Sequence, residues 1–222
     1  MHPLLPELQK GLAHLGLDLT DAQQAQLLAY MDMIAKWTKV YNLTAVRDAQ
    51  EMLTHHLLDS LAVIAPLRRE LAKLIPVAQP LPAGAKYALL DVGSGAGLPG
   101  IVIAITCPEV AVSCVDTVAK KAAFIQQVAA TLRLPNLKGV HARVESLTAP
   151  FDVVCSRAFA SLLDFTTWSQ SALADHGIWM AMKGKHPDQE LAVLPENVKV
   201  FHVEQLQVPG LDAERCIIWM RG

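Results

Sequence analysis

The chain has 222 residues, of which 52% are hydrophobic, and a formal net charge of −2. This length suits one α/β domain with room for an extension. The charge argues against a protein that coats nucleic acid through a global basic surface, while leaving room for a local basic face. No run reaches the roughly 18 apolar residues of a membrane span. The opening MHPLLPELQK lacks the charged and apolar regions of a secretion signal, so a cytoplasmic protein with no membrane partner is expected. Cys107, Cys114, Cys155 and Cys216 show no CxxC spacing. Three of them lie in strand-like or helix-like apolar runs, which suits reduced core thiols, and no structural zinc or other metal is expected.

Residues 1–65 read as helical. Thr20 or Asp21 can cap a helix that carries Leu27, Met31, Ile34 and Thr38 on one stripe, with Trp37 and Tyr41 beside it. Asp48 and Glu51 have the spacing of a capping box. The helix they open presents Leu53, Leu57, Leu61 and Ile64 at helical spacing. Pro66, Pro76, Pro80, Pro82 and Gly84 then punctuate a connector with room for one short helix over 67–75. From Tyr87 onward strands and helices alternate. Strands are expected at 87–92, 111–115, 137–142, 151–156 and 178–182, and helices at 118–133 and 162–174. Segments 198–205 and 216–220 read as a closing antiparallel pair. Alternation of this kind predicts a mostly parallel sheet covered on both faces.

The stretch 89–100, LLDVGSGAGLPG, carries the most information. A buried-looking strand ends near Asp91 and runs into a glycine loop, and Pro99 stands where a helix begins. Strand, loop and helix in this order place an adenosine-bearing ligand at the carboxyl end of a parallel sheet. Gly95, Gly97 and Gly100 fit the dinucleotide fingerprint, and Asp116 ends the next strand where an acid would bind a ribose. Spacing alone leaves NAD open. Three features favour S-adenosylmethionine. Gly93 extends the loop to DxGxGxG, whose acid suits a cationic ligand better than a pyrophosphate. The loop follows residues 1–86, whereas dinucleotide domains usually start near theirs. The closing pair would supply an antiparallel edge. Gly93, Gly95 and Gly97 would let the ligand approach the backbone closely.

YNLTAVRD (41–48), HLLDSLAV (56–63), LLDVGSGAGLPGI (89–101), SRAFASL (156–162), MKGK (182–185) and LQVPGLDAER (206–215) occur in one chain and in this order. In these motifs the chain resembles the bacterial ribosomal RNA small-subunit methyltransferase G family, over nearly its whole length. The resemblance implies a class I, Rossmann-like methyltransferase core at 87–222. An N-terminal helical extension and proline-rich connector, 1–86, would precede it. It also implies methyl transfer from S-adenosylmethionine to N7 of one guanosine in 16S ribosomal RNA. The partner would be that RNA, the small subunit or an assembly intermediate, and a monomer is expected. His55 and His56 stand where the family often has Arg-His, which removes one positive charge, and the connector at 66–86 is longer than usual.

The resemblance carries cofactor binding to Gly93, Leu98, Val144, Glu145 and Arg157. Val144 and Glu145 follow a strand's carboxyl end, where an apolar side chain can cover adenine and a polar one can meet its edge. Asp116 can also serve as a plain helix cap. Asn42, Arg143, Arg157 and Lys183 are the candidates for the RNA side, Arg157 first among them. For Arg143 and Lys183 a salt bridge or surface charge competes strongly, and Asn42 can simply cap a turn. Guanine presents O6 and N7 together, and a cation favours that edge. N7 is the nucleophile, so the cation must hold O6 or a phosphate and leave N7 free. N7 carries a lone pair and no proton, so the transfer needs alignment and desolvation rather than a general base or a metal. Adjacent His55 and His56 lie about 100° apart on a helix and make no metal pair; His56 and Asp59 share a face. A small-molecule methyltransferase and an RNA- or nucleotide-binding regulator without turnover remain alternatives.

Overall fold

The computed structural model describes residues 2–41, 43–82 and 84–222. Its centre is a seven-stranded sheet: β1 (Tyr87–Val92), β2 (Val110–Asp116), β3 (Leu137–His141), β4 (Phe151–Arg157), β5 (Leu173–Lys183), β6 (Lys199–Leu206) and β7 (Arg215–Arg221). The order across it is β3-β2-β1-β4-β5-β7-β6. All neighbouring strands from β3 to β5 run parallel, and β7 lies antiparallel between β5 and β6. The expected mostly parallel sheet with an antiparallel edge is therefore present. Chain order reverses at β1 and β4, which opens a crevice at their carboxyl ends.

The central strands β1, β4, β5 and β7 are buried on both faces along most of their length, so their side chains feed two separate apolar clusters. Leu89, Val112, Val153 and Ile178 belong to the cluster that also holds the N-terminal helices α1 (Leu5–His14) and α2 (Asp21–Tyr41), with α6 (Gly100–Thr106) and α7 (Ala119–Leu132). Leu90, Val92, Val154 and Trp179 face the other way, towards α8 (Leu162–Ser169) and the connector residues Val77 and Leu81. Thr20 caps α2 reciprocally with Gln23: each side chain accepts from the other's backbone N–H. Leu8, Leu27, Tyr30 and Ile34 of α1 and α2 are fully buried in the same cluster as Ile101 and Phe124.

After Asp48, which accepts from Gln50 N and Glu51 N at 2.9 Å, the chain forms α3 (Ala49–Met52), a π-helical segment (Leu53–Leu58) and α4 (Asp59–Leu61) without a break. The π segment makes the turn wider than regular 3.6-residue spacing allows. Asp59 and Ser60 are consequently buried along with Leu61. The short connector helix, α5 (Ile64–Leu71), begins and ends earlier than its expected span. The last helix, α9 (Asp188–Leu191), is a single turn between β5 and β6.

Candidate active site

Asp91 lies beneath the glycine loop with no exposed surface. Its Oδ2 accepts from Gly100 N at 2.9 Å, the first N–H of α6. A Cβ on Gly100 would lie 2.7 Å from that oxygen, so only glycine lets helix and strand approach this closely. The carboxylate braces the loop from inside instead of facing a ligand. The helix end that a pyrophosphate would seek in a dinucleotide site already holds the protein's own acid.

The loop above it turns through Gly93, Gly95 and Gly97, all at positive φ. A Cβ on Gly93 would strike the Phe159 ring. Beside the loop, at the carboxyl ends of β1 to β4, lies a cavity of about 380 Å³, within the range of small-molecule sites. Gly93, Asp116, Val144 and Glu145 line it, as do Phe159 and Trp168. Asp116 Oδ2 accepts from Gly95 N at 3.0 Å and stands 3.4 Å from Lys121 Nζ, while its Oδ1 accepts from Val118 N at 2.9 Å. The acid thus ties the loop to the entry of α7 and still borders the cavity.

Gly95, Gly97 and Leu98 are not among the cavity's lining residues. Gly95 reaches it through Asp116. Gly97 N donates to Ser94 O at 2.7 Å, and the residue packs against Ile101. Leu98 is buried in the apolar core. Arg143 lines this cavity, not the second one, and pairs loosely with Glu145 at 3.5 Å.

A second cavity, of about 420 Å³, adjoins the first at Ala158, which lines both. Ala158 has φ 51°, a conformation uncommon for a residue with a side chain. Arg157, His55, His56, Asp59, Lys183 and Arg215 line this second space. Arg157 Nη1 donates to Asp59 Oδ2 at 2.8 Å and to the His55 carbonyl at 3.1 Å. Arg215 Nε donates to the other Asp59 oxygen at 2.9 Å. Lys183 is held by Glu190 at 2.8 Å. His56 bonds Thr44, with Nε2 2.6 Å from Oγ1, and not Asp59. Burial, then the nearby Arg157 charge, lowers the His56 pKa, which keeps the ring neutral. Asn42 lies outside the described residues.

Sequence reasoning missed Asp59, Phe159 and Arg215, although each sits inside a quoted motif. Their roles come from contacts far along the chain, as in the Asp59–Arg215 pair. All four cysteines are free and buried, and burial pushes the Cys114 and Cys155 thiols up. Among the described residues no group of three or more His, Cys, Asp or Glu is placed to hold a metal, and no helix is long and apolar enough to cross a membrane.

The family of rRNA small subunit methyltransferase G matches residues 23–218. The chain belongs to this family. A Polaromonas relative called ribosomal RNA small subunit methyltransferase G is 70% identical over 217 residues, covering 97% of this chain and 92% of its own. A relative of the same name from Albidiferax ferrireducens is 66% identical and covers all of this chain and 98% of its own. Among solved structures, an S-adenosylmethionine-dependent methyltransferase from Aquifex aeolicus superposes with a TM-score of 0.52 at 14% identity. It covers 73% of this chain and 92% of its own, a likeness of fold. The protein is therefore a methyltransferase with the class I fold, and membership in the family removes the dinucleotide alternative.

Proposed function

We propose that this enzyme transfers a methyl group from S-adenosylmethionine to N7 of one guanosine in 16S ribosomal RNA. The observation that carries the reading is the pair of cavities joined at Ala158, one lined by loop and acid, the other by Arg157. Family membership supplies the RNA. The substrate is free 16S RNA, the small subunit or an assembly intermediate, in the bacterial cytoplasm. A working monomer is part of this proposal.

Residues of the first cavity fit the cofactor. Gly93 leaves room at the loop, Asp116 can accept from ribose hydroxyls, Val144 can cover adenine, and Glu145 can meet the adenine edge. Gly95, Gly97 and Leu98 would contribute by shaping the loop. When bound, the cofactor supplies an electrophilic methyl group. The chain's own work is alignment. Arg157, fixed by Asp59 and the His55 carbonyl, would hold guanine O6 and leave the N7 lone pair unengaged. Its planar fork retains further N–H donors for this purpose. Phe159, which lines the cofactor cavity next to Ala158, would offer an aromatic face to the cationic product. In this reading Lys183 acts through Glu190 as a brace, Arg143 steadies Glu145 at the cofactor rim, and Asn42 remains a candidate on the RNA side.

No residue is needed to take a proton from N7. Single-turnover methyl transfer on ribosomal RNA should therefore stay nearly flat with pH, without the bell of a paired acid and base. Arg157→Ala should lose much of the rate, and Arg157→Lys should recover only part of it. Asp91 beneath the loop has its carboxyl pushed up to about 7. A titration near neutrality that persists in Asp91→Asn, or an Arg157→Ala enzyme with wild-type rate, would therefore overturn the mechanism.

A further inference from the structure

Asp59 is one carboxylate shared by two guanidinium groups. Its side chain is 3% exposed, while those of Arg157 and Arg215 are 20% and 25% exposed and border the second cavity. Two cations over one anion leave a surplus of one positive charge. Arg215 Nη1 also donates to the Glu214 carbonyl at 2.8 Å, and among the described residues no other carboxylate lines the cavity. Lys183 is neutralised by Glu190, and His56 is neutral. A small cavity with one uncompensated, hydrogen-bonding cation suits a singly charged anion.

The sheet order separates the two arginines by function. Arg157 ends β4 and is followed directly by Ala158, which borders the cofactor cavity. Arg215 begins β7, two strands further across the sheet, so its backbone stands about 10 Å away at normal strand spacing, while its Nε reaches back to the same Asp59 carboxylate. The reacting base must lie near Ala158. Arg215 lines the second cavity and not the cofactor cavity, which leaves it for the part of the nucleotide remote from N7, the sugar–phosphate backbone. We infer that Arg215 is a phosphodiester-binding residue of the substrate site, with Asp59 as the positioning residue that holds it in register with Arg157. This rests on the ribosomal RNA reading given above.

The test is the salt dependence of binding to protein-free 16S rRNA by the full chain, for wild type, Arg215→Gln and Arg215→Lys. Arg215→Gln leaves Asp59 paired with Arg157, so the fold should survive, which melting temperature and S-adenosylhomocysteine affinity would verify. Loss of one phosphate contact should make the slope of log affinity against log salt shallower by about 0.7, and lower affinity about tenfold. Arg215→Lys keeps the charge and should keep the slope. A folded Arg215→Gln with the wild-type slope overturns the assignment, as does weaker binding with an unchanged slope, which would mean a base contact. Should Arg215→Gln fail to fold, modification of wild-type arginines by phenylglyoxal decides. Arg215 should be protected by 16S rRNA and not by S-adenosylhomocysteine, and equal reactivity with and without RNA overturns the inference. Wild type that neither binds nor methylates the RNA would instead defeat the functional reading itself.

Discussion

The Tyr30 hydroxyl donates to the Ala96 carbonyl at 2.6 Å, so helix α2 holds the glycine loop from behind. Tyr30 is fully buried, and burial pushes its phenol well above the usual range, which keeps it a donor. Tyr30→Phe should cost about 1–2 kcal/mol of stability, because a buried carbonyl loses its partner. The loosened loop should also bind S-adenosylhomocysteine more weakly. Urea unfolding and calorimetry measure the two effects. Lower stability with wild-type affinity would confine the bond to folding.

The same contact bears on the N-terminal helices. Gln23 Nε2 donates to the Ile105 carbonyl and Gln26 Nε2 to the Leu132 carbonyl, both at 2.9 Å. With Leu27 and Ile34 sharing a cluster with Phe124, deletion of residues 1–40 should unfold the protein instead of sparing cofactor binding. Circular dichroism and gel filtration of the truncation provide the check. A folded truncation that still binds S-adenosylhomocysteine would show that residues 1–40 are not needed to hold the rest of the fold together.

Asp91 predicts a pH dependence. Burial pushes its carboxyl up to about 7, against about 3.9 in an unfolded chain. Its stabilising contribution is complete below about pH 4 and is lost as pH rises through about 7. His56 works in the opposite sense, because burial lowers its pKa and acid favours the unfolded chain. Asp91→Asn keeps an acceptor for Gly100 N and removes the buried charge. Its melting temperature relative to wild type should climb between about pH 4 and pH 7 and level off above. Parallel curves for the two proteins would refute the shift.

Sequence periodicity located the sheet well, since strands buried on both faces read as continuous apolar runs between turns. β1 matches its expected bounds, and helix α7 differs by one residue at each end. Segment 162–174 did not read correctly, because Leu173 and Ala174 already belong to β5. The π-helical segment was also illegible. Leu53, Leu57 and Leu61 keep helical spacing, and a widened turn leaves no mark on such a pattern. Its consequence is the inward Asp59, which then meets Arg157 and Arg215 from distant strands. The sense of Asp91 was misread for a related reason. An acid at a strand end can point to either face of the loop, and only the Gly100 contact tells which.

Asp116 holds the loop and the α7 entry with one carboxylate. Asp116→Ala removes both acceptors and should weaken S-adenosylhomocysteine binding by tenfold or more, about 1.4 kcal/mol. Asp116→Asn keeps one oxygen and should lose less. Calorimetry at constant salt measures both. Equal affinities for all three proteins would reduce Asp116 to a helix cap.

The central claim is the atom that receives the methyl group. The direct measurement incubates purified enzyme with 16S rRNA or small subunits and labelled S-adenosylmethionine, then cleaves the RNA selectively at N7-methylguanosine with borohydride and aniline. The account predicts label in the RNA and one enzyme-dependent cleavage site, lost with Arg157→Ala. Label in the RNA without cleavage, or label only in small molecules, would contradict it.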